Sequence, residues 1–169
     1  AQGRVVAGTS AGAAAMSSGM IAGGSALDAL TGDGVRMSAG LGLLEGVVFD
    51  THFPERGRFT RLMAVLAGNP GLLGVGLGEN AGIVVHDATL LRAIGPGHTM
   101  ILDGHGLTYA NAAELAPGEP IALHGLQLHA LTAGYGYDTY ARAFLDPAHL
   151  SVALGAADGA TPDVEPPNV

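Results

Sequence analysis

The segment Gly8-Thr9-Ser10-Ala11-Gly12 constrains the fold more than any other stretch of the chain. A short apolar run precedes it and alanine-rich residues follow it, so the sequence predicts a strand, a tight turn and a helix, with Ser10 at the tip. We expect a Cβ at either flanking glycine to crowd such a sharp turn. The pattern fits a nucleophile elbow, in which the first helix amides face an anion formed beside the serine. A plain strand-to-helix turn is the alternative.

Length and composition predict a folded globular chain. The 169 residues suffice for one domain with a sizeable core. The hydrophobic fraction of 48% argues against disorder, and the 28 glycines between apolar runs predict many tight turns between short strands. No apolar stretch reaches the roughly 18 residues that a membrane span needs, so we expect no membrane association.

Charge and residue usage exclude several classes of function. The net charge is −8 and all seven basic residues are arginines, a balance that opposes nucleic-acid binding. The chain has no cysteine, which excludes a thiol nucleophile, disulfides and cysteine metal sites. No metal-binding motif occurs, and no glycine loop carries the lysine of a phosphate-binding P-loop. We therefore infer no metal and no cofactor.

The pattern of apolar runs predicts an α/β fold. Helices are predicted over residues 11–20, 58–67 and 138–145, the last capped by Asp138. Residues 22–42 are predicted to form a long, partly irregular connection. Strands are predicted over 3–7, 43–50, 72–77, 81–86, 89–94, 99–102, 107–110, 121–123 and 126–131. Strands and helices alternate in the front half, whereas the back half is mostly short strands. We expect a mainly parallel sheet covered by helices and extended by antiparallel strands.

Among the seven histidines, His52 is the best candidate for a base that activates Ser10. It follows a predicted core strand, and polar chemistry in open α/β sheets lies beyond the carboxyl ends of strands. The other six lie in or next to predicted turns and alternating strands, where a solvated or hydrogen-bonded histidine is the expected role.

A catalytic histidine needs an acid that fixes its tautomer. Glu79 follows another predicted core strand, so it would share a sheet edge with Ser10 and His52 if the three strands are parallel. Asp28, Asp33 and Asp50 remain alternatives for this acid.

Three of the seven arginines lie together, at Arg56, Arg58 and Arg61. One interpretation is a solvated helix face. The other is a site for an acidic substrate, because a guanidinium binds carboxylates in a bidentate fork.

Four segments resemble the cyanophycinases, serine hydrolases of the peptidase E-like group (peptidase family S51). They are Gly8-Thr9-Ser10-Ala11-Gly12-Ala13-Ala14, Gly40-Leu41-Gly42-Leu43, Asp50-Thr51-His52-Phe53-x-x-Arg56-x-Arg58-x-x-Arg61-Leu62 and Gly76-Leu77-Gly78-Glu79-Asn80-Ala81. The arginine-bearing segment is the most specific of the four, and the likeness spans most of residues 3–145.

The resemblance implies a role for each matching residue. Ser10 would be the nucleophile, His52 the base, Glu79 the acid and the Ala11 amide an oxyanion donor. A substrate pocket would contain Asp50, Thr51, Arg56, Arg58 and Arg61. The implied substrate is cyanophycin, a poly-aspartate with arginine on each β-carboxyl, and the implied products are β-Asp-Arg dipeptides.

The resemblance also implies an architecture: a three-layer sandwich with a mainly parallel central sheet, of the class I glutamine amidotransferase-like or peptidase E-like type, with antiparallel strands added in the C-terminal half. The family domain has strands and helices upstream of the elbow. Residues 1–155 would therefore be the C-terminal portion of one hydrolase domain, and residues 156–169 a mobile proline-rich tail. A homodimer is implied, and we expect a cytoplasmic rather than a secreted protein.

One departure from the family and three alternatives affect the prediction. The family has glutamine before the histidine where this chain has Thr51, so we expect altered substrate contacts. Small aspartyl or isoaspartyl peptides are an alternative substrate, and an inactive fragment that needs its missing N-terminal part is an alternative to an enzyme. Glutamine amidotransferase chemistry on the same fold needs a cysteine nucleophile, which this chain lacks.

Overall fold

The computed structural model describes residues 5–157. The helices in this range are α1 (Ala11–Ala14), α2 (Phe59–Gly68) and α3 (Pro147–Ala157), with one 3₁₀ turn at Ala112–Glu114. The strands are β1 (Gly19–Gly23), β2 (Arg36–Ala39), β3 (Val47–Thr51), β4 (Leu73–Leu77), β5 (Gly82–His86), β6 (Leu90–Ile94), β7 (Thr99–Asp103), β8 (Tyr109–Ala110), β9 (Leu123–His124), β10 (Gln127–Leu131), β11 (Gly136–Asp138) and β12 (Ala143–Leu145). The chain is thus α/β, as predicted, with few helices.

Two four-stranded sheets form the core. The first has the order β10-β7-β4-β3, and the second has the order β12-β11-β6-β5. Alternate residues of the first sheet, such as Val47 and Phe49, pack in one cluster with Leu91 and Tyr137 of the second sheet. Val48, between them, packs instead with Leu62 and Leu66 of α2, on the opposite face of the first sheet. The first sheet therefore lies between α2 and the second sheet.

In the described part of the chain the first sheet is mixed and the second is antiparallel, so neither is mainly parallel. Among the named strands of residues 5–157, only β3 and β4 pair in parallel, with Val47 opposite Leu73 and Thr51 opposite Leu77. β4 is antiparallel to β7, and β7 is antiparallel to β10. In the second sheet, β5 and β6 are consecutive antiparallel strands, and so are β11 and β12. The short turns that join them favour this arrangement, because a parallel pair needs a long crossover connection.

The N-terminal elements differ from the prediction. Residues 5–7 form no strand, and Val5 and Val6 are exposed to 95% and 61%. No described strand pairs with them, so their apolar side chains have no partner for burial; residues 1–4 lie outside the described range. The helix predicted over residues 11–20 ends at Ala14, and the chain then enters β1. β1 thus covers the end of the predicted helix, and its partner β2 lies within the stretch 22–42 that was predicted as irregular.

The C-terminal helix was predicted in the wrong place. Residues 138–145 form the end of β11, a turn and β12 rather than a helix. The Asp138 carboxylate accepts hydrogen bonds from the amides of Tyr140 and Ala141, at 2.8 and 2.9 Å, and so closes a turn instead of starting a helix. A helix does follow, as α3. α3 includes the first two residues of the tail that was predicted over 156–169, and the rest of that tail lies outside the described residues.

Candidate active site

The parallel pair β3–β4 brings His52 and Glu79 to one edge of the first sheet. His52 directly follows β3, and Glu79 comes two residues after β4. Because Thr51 pairs with Leu77 at the ends of these strands, the two following loops leave the sheet side by side.

Ser10 lies at the tip of the turn into α1. Its backbone has φ 50° and ψ −121°, a conformation that L-residues rarely adopt and that is typical of strained turns at functional sites. A Cβ on Gly8 would come within 2.6 Å of the Gly12 carbonyl oxygen, so this glycine is required for the close approach. The same prediction is wrong for Gly12, where an added Cβ would face open space.

The residues that follow the elbow are hydrogen-bonded to residues 41–43 and to β3. The amides of Leu41 and Leu43 donate to the carbonyls of Ala15 and Met16, at 2.7 and 2.9 Å. The buried hydroxyl oxygen of Ser17 accepts the amide of Phe49 in β3 at 3.2 Å. Ser10 therefore reaches the sheet edge through these contacts, although residues 5–7 form no strand.

Ser10, His52 and Glu79 lie in one chain of contacts. The Oγ of Ser10 is 3.2 Å from Nε2 of His52, and Nδ1 of His52 is 3.4 Å from Oε1 of Glu79. The imidazole thus lies between the hydroxyl and the carboxylate, as general-base activation of a serine requires. The side chains of His52 and Glu79 are 32% and 61% exposed, so water reaches this arrangement freely.

The three aspartates considered as alternative acid partners of His52 have surroundings that differ from those of Glu79. The Asp33 carboxylate accepts the amide of Gly118 at 3.1 Å, and Asp28 is exposed on the loop between β1 and β2. Asp50 is buried and paired with arginines. Within residues 5–157, Glu79 is the only acidic side chain in contact with the His52 ring.

A cavity of about 410 Å³ opens beside Ser10 and His52. Its walls come from the elbow, from β1 and from the segment that follows β3. The lining residues are Ser10, Ala11, Ala14, Ile21, Ala22, Gly23, Asp50, Thr51, His52, Arg56, Arg58 and Arg61. Every residue that was predicted for the pocket therefore lines this one cavity.

Ala11, whose amide was predicted as the oxyanion donor, is one of the residues that line this cavity. Within the described residues this amide donates to no backbone carbonyl, whereas the amides of Gly12 and Ala13 donate to Thr9 and Ser10. An unpaired amide directly after the serine can donate to an anion beside Oγ.

Asp50 fixes two of the three arginines. Its carboxylate is 3.3 Å from Nη1 of Arg58 and 3.1 Å from Nε of Arg61, the second contact being an ion pair without hydrogen-bond alignment. Arg58 also donates to the Thr51 carbonyl at 2.7 Å, and the Thr51 amide donates to Asp50 at 2.9 Å. Arg56, in contrast, is exposed at the cavity wall.

Burial of these charges shifts their pKa values. Loss of water raises the pKa of the Asp50 carboxyl above its ordinary value, and the positive charge of Arg61 opposes this rise. Loss of water also lowers the pKa of the Arg61 guanidinium, and the negative charge of Asp50 opposes this fall. With one carboxylate among three guanidiniums, the cavity wall carries an excess of positive charge.

Sequence reasoning missed the contact between Glu55 and the loop that carries Glu79. Oε1 of Glu55 accepts the Glu79 amide at 2.9 Å. No local pattern reveals this contact, because 24 positions separate the two residues.

Two other features of the described residues concern metals and membranes. Residues 5–157 contain no cluster of histidine, aspartate and glutamate side chains that could hold a metal ion. No helix in the same range has the length and apolar character needed to cross a membrane.

Comparison with known proteins identifies the family. The model of peptidase family S51 matches residues 1–92, more than half of the chain. The chain belongs to peptidase family S51. This match includes the segments that carry Ser10, His52 and Glu79.

Curated relatives of this S51 chain are named cyanophycinase. The protein from Geminocystis herdmanii is 40% identical over 131 residues, which cover 78% of this chain and 48% of the relative. The protein from Trichormus variabilis is 38% identical over 144 residues, covering 85% and 48%. The protein from Synechococcus elongatus is 36% identical over 134 residues, covering 79% and 42%. The chain thus spans about half the length of the curated relatives it matches.

Proposed function

We propose that the protein carrying this chain is a serine peptidase that degrades cyanophycin to β-Asp-Arg dipeptides. The observation that carries the proposal is the contact series from Ser10 Oγ through the His52 ring to the Glu79 carboxylate, at 3.2 and 3.4 Å. Membership of family S51 and the printed name of the relatives support the substrate.

The proposed reaction is a two-step acyl transfer. Nε2 of His52 accepts the Ser10 proton while Oγ attacks the aspartyl carbonyl carbon, and the Ala11 amide donates to the oxyanion. His52 then protonates the departing amine, which leaves an ester on Ser10. A water molecule gives a proton to His52 and attacks the ester carbonyl carbon. His52 then returns this proton to Oγ as the acyl–oxygen bond breaks, which releases the acid and restores the serine. Glu79 holds the ring in the required tautomer and stabilises its charged form.

The charges of the cavity wall support an acidic substrate. Cyanophycin presents backbone and arginyl carboxylates, and Arg56 is the exposed guanidinium of the three at this wall. Asp50 holds Arg58 and Arg61 in fixed orientations. We assign substrate contacts to Arg56, Arg58 and Arg61, with Asp50 and Thr51 forming the wall between them.

The proposal includes the fold of the whole protein. β3 is at the end of its sheet in residues 5–157, yet all five of its residues are buried. An isolated parallel bridge joins Ser17 and Leu44 near this edge. These features support a three-layer sandwich in which the β3–β4 pair belongs to a larger parallel sheet. The resemblance further supports a homodimer, which light scattering after gel filtration would test. We also propose a cytoplasmic location, which cell fractionation would test.

The decisive experiment is Ser10→Ala in the whole protein that carries this chain. We expect release of β-Asp-Arg from cyanophycin to fall to the detection limit, because losing the nucleophile of a comparable triad lowers kcat on the order of 10⁶-fold. The dipeptide is measured by chromatography. Ser38→Ala is the matched control, because Ser38 is exposed on β2 and does not line the cavity. Dipeptide release by the Ser10 variant at the rate of this control would refute the proposal.

A further inference from the structure

The loop that carries Glu79 has few contacts that fix the carboxylate. The Glu79 side chain is 61% exposed, so packing does not hold it against His52. Backbone hydrogen bonds anchor the residues on either side, from the Gly78 amide to the His98 carbonyl at 3.1 Å and from the Gly97 amide to the Asn80 carbonyl at 3.0 Å. The amide of Glu79 itself is held by a side chain, through Oε1 of Glu55 at 2.9 Å.

Glu55 is fixed relative to His52 by its own turn. The Arg56 amide donates to the His52 carbonyl at 3.1 Å, and the Arg58 amide donates to the Phe53 carbonyl at 2.9 Å. The Phe53 amide in turn donates to the Leu77 carbonyl at the end of β4, at 3.0 Å. The turn that contains Glu55 is therefore attached both to the base and to the strand that leads to Glu79.

We propose that Glu55 is a positioning residue that holds the Glu79 backbone so that the Glu79 carboxylate meets Nδ1 of His52. Two side-chain contacts then join the loop after β3 to the loop after β4. One runs from the Glu55 carboxylate to the Glu79 amide, and the other from the Glu79 carboxylate to the His52 ring. Glu55 does not touch Ser10 and does not line the cavity, so its effect passes through Glu79. The kinetic part of this inference rests on the proposed function, whereas the structural part does not.

The acceptor oxygen, and not the charge, is what this role requires. A glutamine at position 55 also offers a carbonyl oxygen to the Glu79 amide. It would also remove a negative charge from the neighbourhood of the Glu79 carboxylate. We therefore expect Glu55→Gln to preserve the arrangement and Glu55→Ala to loosen it.

The test uses nuclear magnetic resonance on the whole protein that carries this chain. The variants are Glu55→Ala, Glu55→Gln and, as a matched control, Glu45→Ala, which changes an exposed glutamate before β3. In Glu55→Ala we expect exchange of the Glu79 amide hydrogen to accelerate roughly three- to tenfold, the factor for one ordinary hydrogen bond, and the His52 Nδ1–H resonance to shift. Both signals should stay at their wild-type values in Glu55→Gln and Glu45→Ala. In the whole protein, kcat for dipeptide release should fall by a similar factor in Glu55→Ala, with KM unchanged.

The outcomes separate the inference from the proposed function. Wild-type resonances and exchange in Glu55→Ala would overturn the positioning role, and so would equal losses in Glu55→Ala and Glu55→Gln. The expected resonance changes, combined with no cyanophycin hydrolysis by the wild-type whole protein, would support the positioning role and reject the proposed function.

Discussion

Three of the six described non-glycine residues with positive φ lie at or next to the candidate site. Ser10, His52 and Asn80, which follows Glu79, have φ values of 50°, 51° and 55°, and none is glycine. Each such residue costs on the order of 1–3 kcal/mol, so the surrounding contacts must over-determine its conformation. The hydrogen bonds around the elbow and the two loops meet this requirement, and they place the polar side chains where the regular strands end.

The two glycines of the elbow provide a matched pair of variants. We expect Gly8→Ala to displace Ser10, because its Cβ would come within 2.6 Å of the Gly12 carbonyl oxygen and 2.9 Å of the Met16 methyl group. A displacement of about 1 Å can cost about 100-fold in rate. In Gly12→Ala the added Cβ faces open space, so Ser10 should react at the wild-type rate. Labelling of Ser10 by a fluorophosphonate probe measures both rates in the whole protein. Equal rates in the two variants would contradict this account of the elbow.

At the residue scale, the sequence predicted which side chains meet but not what holds them. Ser10, His52 and Glu79 were identified from their positions after apolar runs, and the structure brings all three together. Their roles remain predictions. Glu55 could not be identified in this way, because its contact depends on how two distant loops fold onto each other.

At the level of elements, prediction succeeded where apolar patterns are strong. β4 and α2 lie within one residue of their predicted ends, because their side chains face buried clusters. β3 ends at Thr51, close to its predicted end, but it begins at Val47 rather than at residue 43. β2 was missed because all four of its residues are exposed and show no alternation. The turn after β11 was taken for a helix start because aspartate accepts backbone amides equally well in both settings.

The N-terminus of α3 offers a test of capping. The Asp146 carboxylate accepts the His149 amide at 2.9 Å and contacts the His149 ring at 2.8 Å. We expect Asp146→Ala to fray the first turn of α3, with faster hydrogen exchange at His149, and Asp146→Asn to preserve the turn because asparagine is an equally good cap. Similar exchange rates in Asp146→Ala and the wild type would show that packing alone holds this end.

The same cap predicts a pH dependence for α3. The hydrogen bonds from His149 lower the pKa of Asp146 below its ordinary value of 3.8. A depressed pKa means that the stabilisation is complete above this ordinary value and is lost as the pH falls through the lower value of the folded state. The protection of the His149 amide, measured against its intrinsic exchange rate at each pH, should therefore fall in acid in the wild type. This fall should be absent in Asp146→Asn.

At the scale of the whole molecule, a buried polar cluster joins the two sheets at the end opposite the site. Asp103, the last residue of β7, accepts the hydroxyl of Tyr137 in β11 at 2.8 Å and a guanidinium nitrogen of Arg142 at 2.7 Å. Arg142 also donates to the Gly71 carbonyl just before β4, at 2.6 Å. Sequence patterns predicted β4 and β7 but not β11, and they did not predict this cluster, because it depends on how the two sheets face each other.

The cluster predicts that the two sheets unfold as one unit. Asp103→Ala leaves Arg142 and the buried Tyr137 hydroxyl without their partner, which should lower the free energy of unfolding by about 3–5 kcal/mol. Tyr137→Phe removes one hydrogen bond and should cost about 1–2 kcal/mol. Urea unfolding followed by circular dichroism and by tyrosine fluorescence measures both values. Separate transitions for the two probes in the wild type would contradict the coupling.

Alkaline titration tests the same cluster through Tyr137. Burial and the Asp103 carboxylate raise the pKa of Tyr137 above its ordinary value of 10.0. Because the folded state holds this proton more tightly than the unfolded state, the stabilisation is complete below pH 10.0 and declines as the pH rises toward the folded-state pKa. The wild-type free energy of unfolding should therefore fall with pH in this window. Tyr137→Phe should lack this part of the decline, and a decline of equal slope in both proteins would show that the hydroxyl proton is not held by Asp103.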